Sequence, residues 1–325
     1  MMSENVGDLP LPDLNMLLLK ALVSGMSFHM GTKALADIFS KEPTNYFPDN
    51  FHEVTSCIGP LTPQGTMDKI NQCICKMVKW IKTYSENVEK ENVDKQERYD
   101  QLQHSVNKVT RLISKLQNEV GEALSVFIIF ANVHLILLQE LAVIDPTTAG
   151  KSITSKHVEE LKIFANTYID FAQITYDEIV TARTKTISSS VHTGYELLHP
   201  VTHGQFADYV ISAWWTDTHV NIVRKEDIIY TYDKYSAKYL SDVSITEDWI
   251  DCQPSRELLA KMEKERAEYK QDVMNKLSLS LNNPVETIHT WRRLEQQPLP
   301  FVPVVQSTDG VPAPLEKLLT TRLRL

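Results

Sequence analysis

The side chains that could do chemistry in this chain are few and loosely grouped. His192, His199, His203 and His219 fall near one another, and His199-Pro-Val-Thr-His203 sets two imidazoles four residues apart. A metal site would also need a thiolate or carboxylate held beside them at fixed geometry, and the spacing supplies none. Cys73 and Cys75 lie two apart on a helical stripe. That puts them on different faces, so they read as a core cysteine and a bystander. The chain carries no P-loop, GxGxxG, GxSxG or HExxH, the patterns that cradle phosphates, expose a nucleophilic serine or hold zinc. These residues support no enzyme, no cofactor and no metal centre. Trp214-Trp215 stands as a candidate recognition pair for a ligand or a membrane interface. In a strand, the two rings would instead point one inward and one outward.

The remaining candidate chemistry is that of solvents. The stretch VFIIFANVHLILLQELAVI runs from Val126 to Ile144, and from Ala123 to Gln139 there is no Asp, Glu, Lys or Arg. Seventeen helical residues rise about 26 Å, while a bilayer core is roughly 30 Å thick and usually asks for about 20 apolar residues. The segment therefore sits at the short edge of the spanning range. It also carries Asn132, His134 and Gln139, and Glu122 and Glu140 close its ends. A helix that is hydrophobic all round is ordinarily a buried one. His134 within it is expected to be a hydrogen-bonded core group, its pKa lowered by burial.

Composition narrows the partners. The 325 residues carry a net charge of -9, which argues against a nucleic-acid groove. The N-terminal MMSENVGDLPLPDL has no basic region followed by a short apolar core, so no signal peptide is expected. Four cysteines, Cys57, Cys73, Cys75 and Cys252, are too few for a disulfide framework in a chain of this length.

The elements that must hold the apolar segment are mostly helical. Leu14–Phe39 has helical apolar spacing, with Asp13 as a cap and Gly25 and Gly31 as interruptions. Met67, Ile70, Ile74, Met77 and Ile81 form another stripe. Tyr99, Leu102, Val106, Val109, Ile113, Leu116 and Val120 step by three and four without a fault, a heptad seam that predicts one face packed on a neighbouring helix. Between the seam positions lie Gln103, Asn107, Thr110, Ser114 and Gln117, polar and uncharged. Gly121 marks a break that lets this helix fold back on the apolar one, and Asp145, Pro146 and Gly150 end the latter. Ser152 or Thr154 caps the next helix, with Val158, Leu161, Phe164 or Ala165, Tyr168, Phe171 or Ala172, and Ile179 facing inward. Beyond residue 185 the texture changes. FADYVISAWW and HVNIVRKEDIIYTY are β-branched and aromatic around Lys225-Glu226-Asp227, which predicts a strand pair over 206–235 with its turn at those charges. A charged helix returns after Pro254, and a Pro-rich tail follows.

At this point the residues resemble a known family. Ala131-Asn-Val-His-Leu135, then Leu138-Gln-Glu140 and Val143, is similar to the central-helix block of the three-domain insecticidal crystal (Cry) δ-endotoxins. The helix carrying Tyr168, Asp170, Phe171 and Tyr176 is similar to the family's following helix, and LVSGMSFHMGTKALADIF to its first. The resemblance spans about residues 14–184. It implies a helical bundle with the apolar helix in the middle, which opens at a lipid membrane and inserts a hairpin of Tyr99–Val120 and Ala123–Ile144. The inserting residues would be Val106, Val109, Ile113 and Leu116 on one arm. On the other they would be Val126, Phe127, Ile128, Ile129, Phe130, Ala131, Asn132, His134, Leu135, Leu137 and Leu138. Two departures stand out. The family's Arg-Asp pair is Gln139-Glu140, and the residues after 184 are too few for the family's two β domains.

The expected fold is therefore mainly α, a multi-helix bundle around a central apolar helix with a small β insertion. The expected divisions are a bundle over 1–190, a β-rich insertion over 191–250, a returning helix over 251–296 and a Pro-rich tail over 297–325. The expected function is that of a pore-forming, toxin-like protein, made soluble and released to act at a target-cell membrane, self-associating there and guided by a receptor. The alternative is a soluble interaction or structural protein that keeps the bundle without the pore.

Overall fold

The computed structural model describes residues 11–24, 72, 76, 79, 95–118, 123–148, 155–200, 206–233, 244–245 and 250–298. The fold is mainly α with a small antiparallel sheet. Six helices are described: α1 (Leu11–Ser24), α2 (Lys95–Gln117), α3 (Leu124–Ile144), α4 (Lys156–Lys185), α5 (Gln253–Ser280) and α6 (Pro284–Gln296). The strands β1 (His192–Pro200), β2 (Phe206–Asp217) and β3 (Ile222–Asp233) make one sheet in that order, and β4 (Ser244–Ile245) pairs with β5 (Ile250–Asp251).

Composition alone sends α3 to the centre. Nineteen of its residues, from Leu124 to Ala142, are buried. A helix apolar on every side has no face to offer water, so it must be ringed. Helices α1, α2 and α4 pack against it, and α6 closes over α4 and α1. The heptad seam of α2 faces α3 as its spacing requires. Tyr99, Leu102, Val106, Val109, Ile113 and Leu116 are all buried. On α4 the buried positions are Val158, Leu161, Ala165, Tyr168, Ala172 and Ile179, with Phe164 and Phe171 partly covered. Ser155 caps α4, its Oγ accepting from the His157 N–H at 3.2 Å, one residue beyond the expected Thr154. Asp13 lies inside the first turn of α1 rather than ahead of it. The stripe from Met67 to Ile81, apart from helical Lys76 and Lys79, lies outside the described residues. So do Gly25, Gly31, Val120, Gly121, His203, Cys57, Cys73 and Cys75.

The last bundle helix comes from far along the chain. The α5–α6 turn uses Asn282 (φ 64°) and Asn283 (φ 51°), left-handed positions that Asn tolerates better than most residues. The Asn283 N–H returns to the Ser278 carbonyl at 2.8 Å. The turn drops Leu277, Leu281, Ile288, Trp291 and Leu294 into the same core as α3.

The strand pair over 206–233 forms, but its turn does not sit at Lys225–Asp227. The chain reverses at Thr218–Asn221, with Asn221 left-handed at φ 54°. The three charges lie inside β3 because the strand needs no apolar residue there. Lys225 pairs with Asp227 at 3.1 Å, and Glu226 reaches Lys261 of α5 at 2.6 Å. The register sets Ile211 opposite Ile228 and Tyr209 opposite Tyr230. The inner face buries Ile211, Ala213 and Trp215 against Leu258 and Met262 of α5, a second and smaller core. Helix α5 is thus shared, its start on the sheet and its end in the bundle.

The two cores meet at a buried ion pair. Arg183, at the end of α4, grips Asp217, at the end of β2, with Nη2–Oδ2 at 2.7 Å and Nη1–Oδ1 at 3.1 Å. The Tyr269 hydroxyl of α5 donates to Asp217 Oδ2 at 2.8 Å, and the His219 N–H to Oδ1 at 3.0 Å. Burial alone would raise the Asp217 pKa, but the bonds from Arg183 and Tyr269 outweigh it and hold the carboxyl below the usual range.

Two stability predictions follow from these cores. Ile129→Asp or Leu137→Asp places a charge where the native side chain is 1 % or 0 % exposed, and is expected to cost several kcal/mol. An unchanged melting temperature would contradict the central position of α3. Arg183→Ala leaves Asp217 buried without its cation and is expected to cost about 3–5 kcal/mol, read as a lower denaturation midpoint.

Candidate functional site, the clasped central helix

A buried apolar helix has its backbone bonds satisfied internally and its place set by apolar packing, so what fixes its rotation and register is its polar side chains. Helix α3 carries four buried ones beyond its first turn, Asn132, His134, Gln139 and Glu140. Each is bonded to a different part of the bundle.

Asn132 is fully buried. Its Nδ2 donates to Asn15 Oδ1 of α1 at 2.7 Å, and its Oδ1 accepts from the Trp291 Nε1–H of α6 at 2.7 Å. Asn15 in turn donates to the Asn282 carbonyl at 2.7 Å and to Thr287 Oγ1 at 3.0 Å. Asn282 donates to the Ser125 carbonyl at 2.9 Å. One short network therefore joins α1, α3, α6 and the α5–α6 turn. Trp291 also meets Phe127 edge-on, with centroids 6.4 Å apart.

His134 sits between α2 and α4. Tyr168 Oη lies 2.8 Å from Nδ1 and Thr110 Oγ1 lies 2.9 Å from Nε2. The single Thr110 proton goes to the Val106 carbonyl at 2.9 Å, which leaves Thr110 to accept. That assigns the ring proton to Nε2 and leaves Nδ1 to accept from the tyrosine. Burial drives the His134 pKa down from 6.5 to about 3 and pushes the Tyr168 hydroxyl far above its ordinary value. The imidazole is neutral in the closed bundle.

Gln139 and Glu140 secure the far end of α3. Gln139 Nε2 donates to the Leu22 carbonyl at 3.2 Å and the Pro298 carbonyl at 3.1 Å. Glu140 pairs with Arg98 from the first turn of α2. Burial raises the Glu140 pKa, and the Arg98 bond opposes it without cancelling it. Glu140 Oε2 and Arg98 Nε have no partner among the described residues, so this clasp is incomplete. Just beyond it, Asp145 accepts from Thr147 and from Ser155 Oγ at 2.6 Å, which ties the end of α3 to the start of α4.

The expected inserting residues are thus brought together. Val106, Val109, Ile113 and Leu116 pack in one core with the α3 residues from Val126 to Leu138. The tryptophan pair is split by the pleat of β2. Trp215 is buried against Tyr269 at 4.9 Å, and Trp214 lies on the outer face, stacked on His192 at 5.8 Å. Trp291 and Asn15 had no functional signal in the sequence. A lone aromatic in the short helix α6 and a lone Asn in α1 acquire their importance only through contacts between residues far apart in the chain. Among the described residues, no group of three or more His, Cys, Asp or Glu side chains is arranged to hold a metal. No protein-family model matches the chain, and no curated protein matches it.

The His134 site gives a signed pH dependence. The folded pKa lies below the unfolded one, so His134's contribution to stability is fully present above pH 6.5 and is lost as pH falls toward 3. The slope is up to about 1.4 kcal/mol per pH unit within that window. Glu140 works in the opposite sense, since its folded pKa is raised. The comparison that isolates His134 is His134→Gln. The variant is expected to lose less stability than wild type on acidification from neutral pH, in denaturant titrations across that range.

Proposed function

We propose that this chain is a membrane-active, pore-forming bundle of the δ-endotoxin kind, whose closed, water-soluble form opens at a lipid surface and inserts α2 and α3 as a hairpin. The observation that carries this reading is the state of α3. It is the one helix among those described that is long and apolar enough to cross a membrane, and it is almost wholly enclosed by amphipathic helices. Its 21 residues rise about 32 Å, close to the roughly 30 Å of a bilayer core. Its backbone is satisfied in water or in lipid alike. Apolar packing and side-chain clasps hold it in the closed form, and releasing them leaves the helix itself intact.

Helix α2 is a different kind of partner. Asn107 and Thr110 with Gln103, Ser114 and Gln117 give it an uncharged polar side suited to a water-filled lumen. Lys108, Arg111 and Lys115 must keep to water or to headgroups, because charge in the bilayer core is costly. A single two-helix hairpin cannot enclose water, so a pore requires several copies. The outer-face Trp214 is available to a receptor or to the membrane interface. The resemblance of Ala131–Leu135 and its flanking residues to the family's central block supports the same reading. The alternative, a soluble interaction or structural protein, is favoured by how fully Asn132 and His134 are bonded, as in an ordinary core helix.

Release of a dye trapped in lipid vesicles separates the two. Wild-type protein is expected to release it, faster at acid pH, where His134 opposes closure. Arg98→Ala, which strips Glu140 of its cation, is expected to release faster than wild type by several-fold. A disulfide tying α3 to α4 at a pair with Cβ atoms about 3.8 Å apart is expected to block release until reduced. Protein that never permeabilises any vesicle composition, from neutral to acid pH, before or after limited proteolysis, would overturn the pore reading in favour of the soluble one.

A further inference from the structure

The flank of α2 beside its α3-facing seam holds a feature the clasps do not use. Lys108, Arg111 and Lys115 stand three and four residues apart, one stripe of a helix, and all are exposed. Opposite them are Lys76 and Lys79, also helical, three apart and exposed. Together with Val109 and Leu112 these residues line a groove of about 430 Å³. Among the described residues the lining is five cations, two aliphatic residues and no carboxylate, on a chain whose net charge is -9.

Several cations of the fold are answered singly by a carboxylate. Arg98 meets Glu140, Lys162 meets Glu159 and Arg183 meets Asp217. Among the described residues, Lys76, Lys108, Arg111 and Lys115 have no carboxylate within ion-pair distance. Like charges on facing helices repel, and the field they share in a partly apolar cleft concentrates anions there. Lysine and arginine stems also present methylene walls below their charged ends. A cleft with cationic rims and apolar walls suits an anion that carries hydrocarbon. Arginine adds a planar fork matched to phosphate oxygens.

We propose that the groove between Lys76, Lys79 and the Lys108–Arg111–Lys115 stripe binds the phosphate headgroup of an anionic phospholipid and so docks the closed bundle on a membrane with α2 lowermost. The choice of lipid over a free anion rests on the membrane reading above. Docking this way would set the basic side of α2 among headgroups, the depth at which its charges are tolerated, before any clasp opens.

The test is co-sedimentation with sucrose-loaded vesicles of phosphatidylcholine, alone or with a third phosphatidylserine, at neutral pH. The chains compared are wild type, K108Q/R111Q/K115Q, K76Q/K79Q and the conservative K108R/K115R. A control, K261Q/K264Q/K270Q on α5, loses the same charge as the triple groove variant. Wild type, the conservative variant and the control are expected to bind the phosphatidylserine vesicles alike and the phosphatidylcholine vesicles far less. The groove variants are expected to lose roughly fivefold in partitioning per cation removed, with circular dichroism unchanged. Groove variants that bind like wild type, or a control that loses as much, would overturn the proposal. So would wild type that binds both vesicle types equally. A calorimetric titration with inorganic phosphate distinguishes the source of the anion, since tight phosphate binding without vesicle binding would also overturn it. Vesicle binding without dye release would sink the pore and leave the docking groove standing. Dye release that survives loss of the groove cations would do the reverse.

Discussion

A polar side chain on a helix that is apolar all round has no water to turn to, and this constraint organises the molecule. Leaving such a group unbonded costs about 1–3 kcal/mol or more, so each one on α3 selects a partner from the ring around it. Asn132 uses both its amide ends, one on α1 and one on α6. His134 uses both ring nitrogens, on α2 and α4. Hydrophobic burial would tolerate many rotations of a greasy cylinder among its neighbours. These four bonds accept only one, which is how a nearly featureless helix acquires a unique register.

The sheet is attached by a different principle. Its core of Ile211, Ala213 and Trp215 against Leu258 and Met262 is too small to define its angle to the bundle. The Arg183–Asp217 pair supplies that definition through bidentate geometry. A buried ion pair is weak evidence of stability because desolvation consumes much of its Coulomb energy. Its geometric demand remains, and it joins the ends of α4 and β2 with the middle of α5 at one point.

Much of this was legible in the sequence where one local period decides the outcome. The α2 seam from Tyr99 to Leu116, the α4 stripe and the uniform apolarity of α3 all translate directly into burial. The strand pair was legible too, yet its turn was not. Three consecutive charges look like a reversal, and in β3 they are a run paired across to Ser212 and α5. Strand β1 falls inside the expected β-rich insertion over 191–250 but was not singled out as a strand, because Ser, Thr, His and Gly dominate its surroundings. The clasps were illegible for a plainer reason. Asn15 and Trp291 reach Asn132 over 117 and 159 residues, and nothing local marks either as a partner. The groove was hidden the same way, since each lysine alone looks like solvated surface and only the facing of two helices makes them a site.

The late arrival of Trp291 has a consequence for how the chain is made. Translation is vectorial, and α3 leaves the ribosome 159 residues before the tryptophan that bonds its Asn132. At about 5–20 residues per second, roughly 8 to 32 seconds pass before that bond can form. Through that interval α1, α2 and α4 can already flank the most apolar segment of the protein, but the side that carries Asn132 lies open to whatever surface is nearest, be it a chaperone, another nascent chain or a bilayer. Closure of the bundle is then a race between synthesis and misplaced adhesion, and α6 is the finishing line.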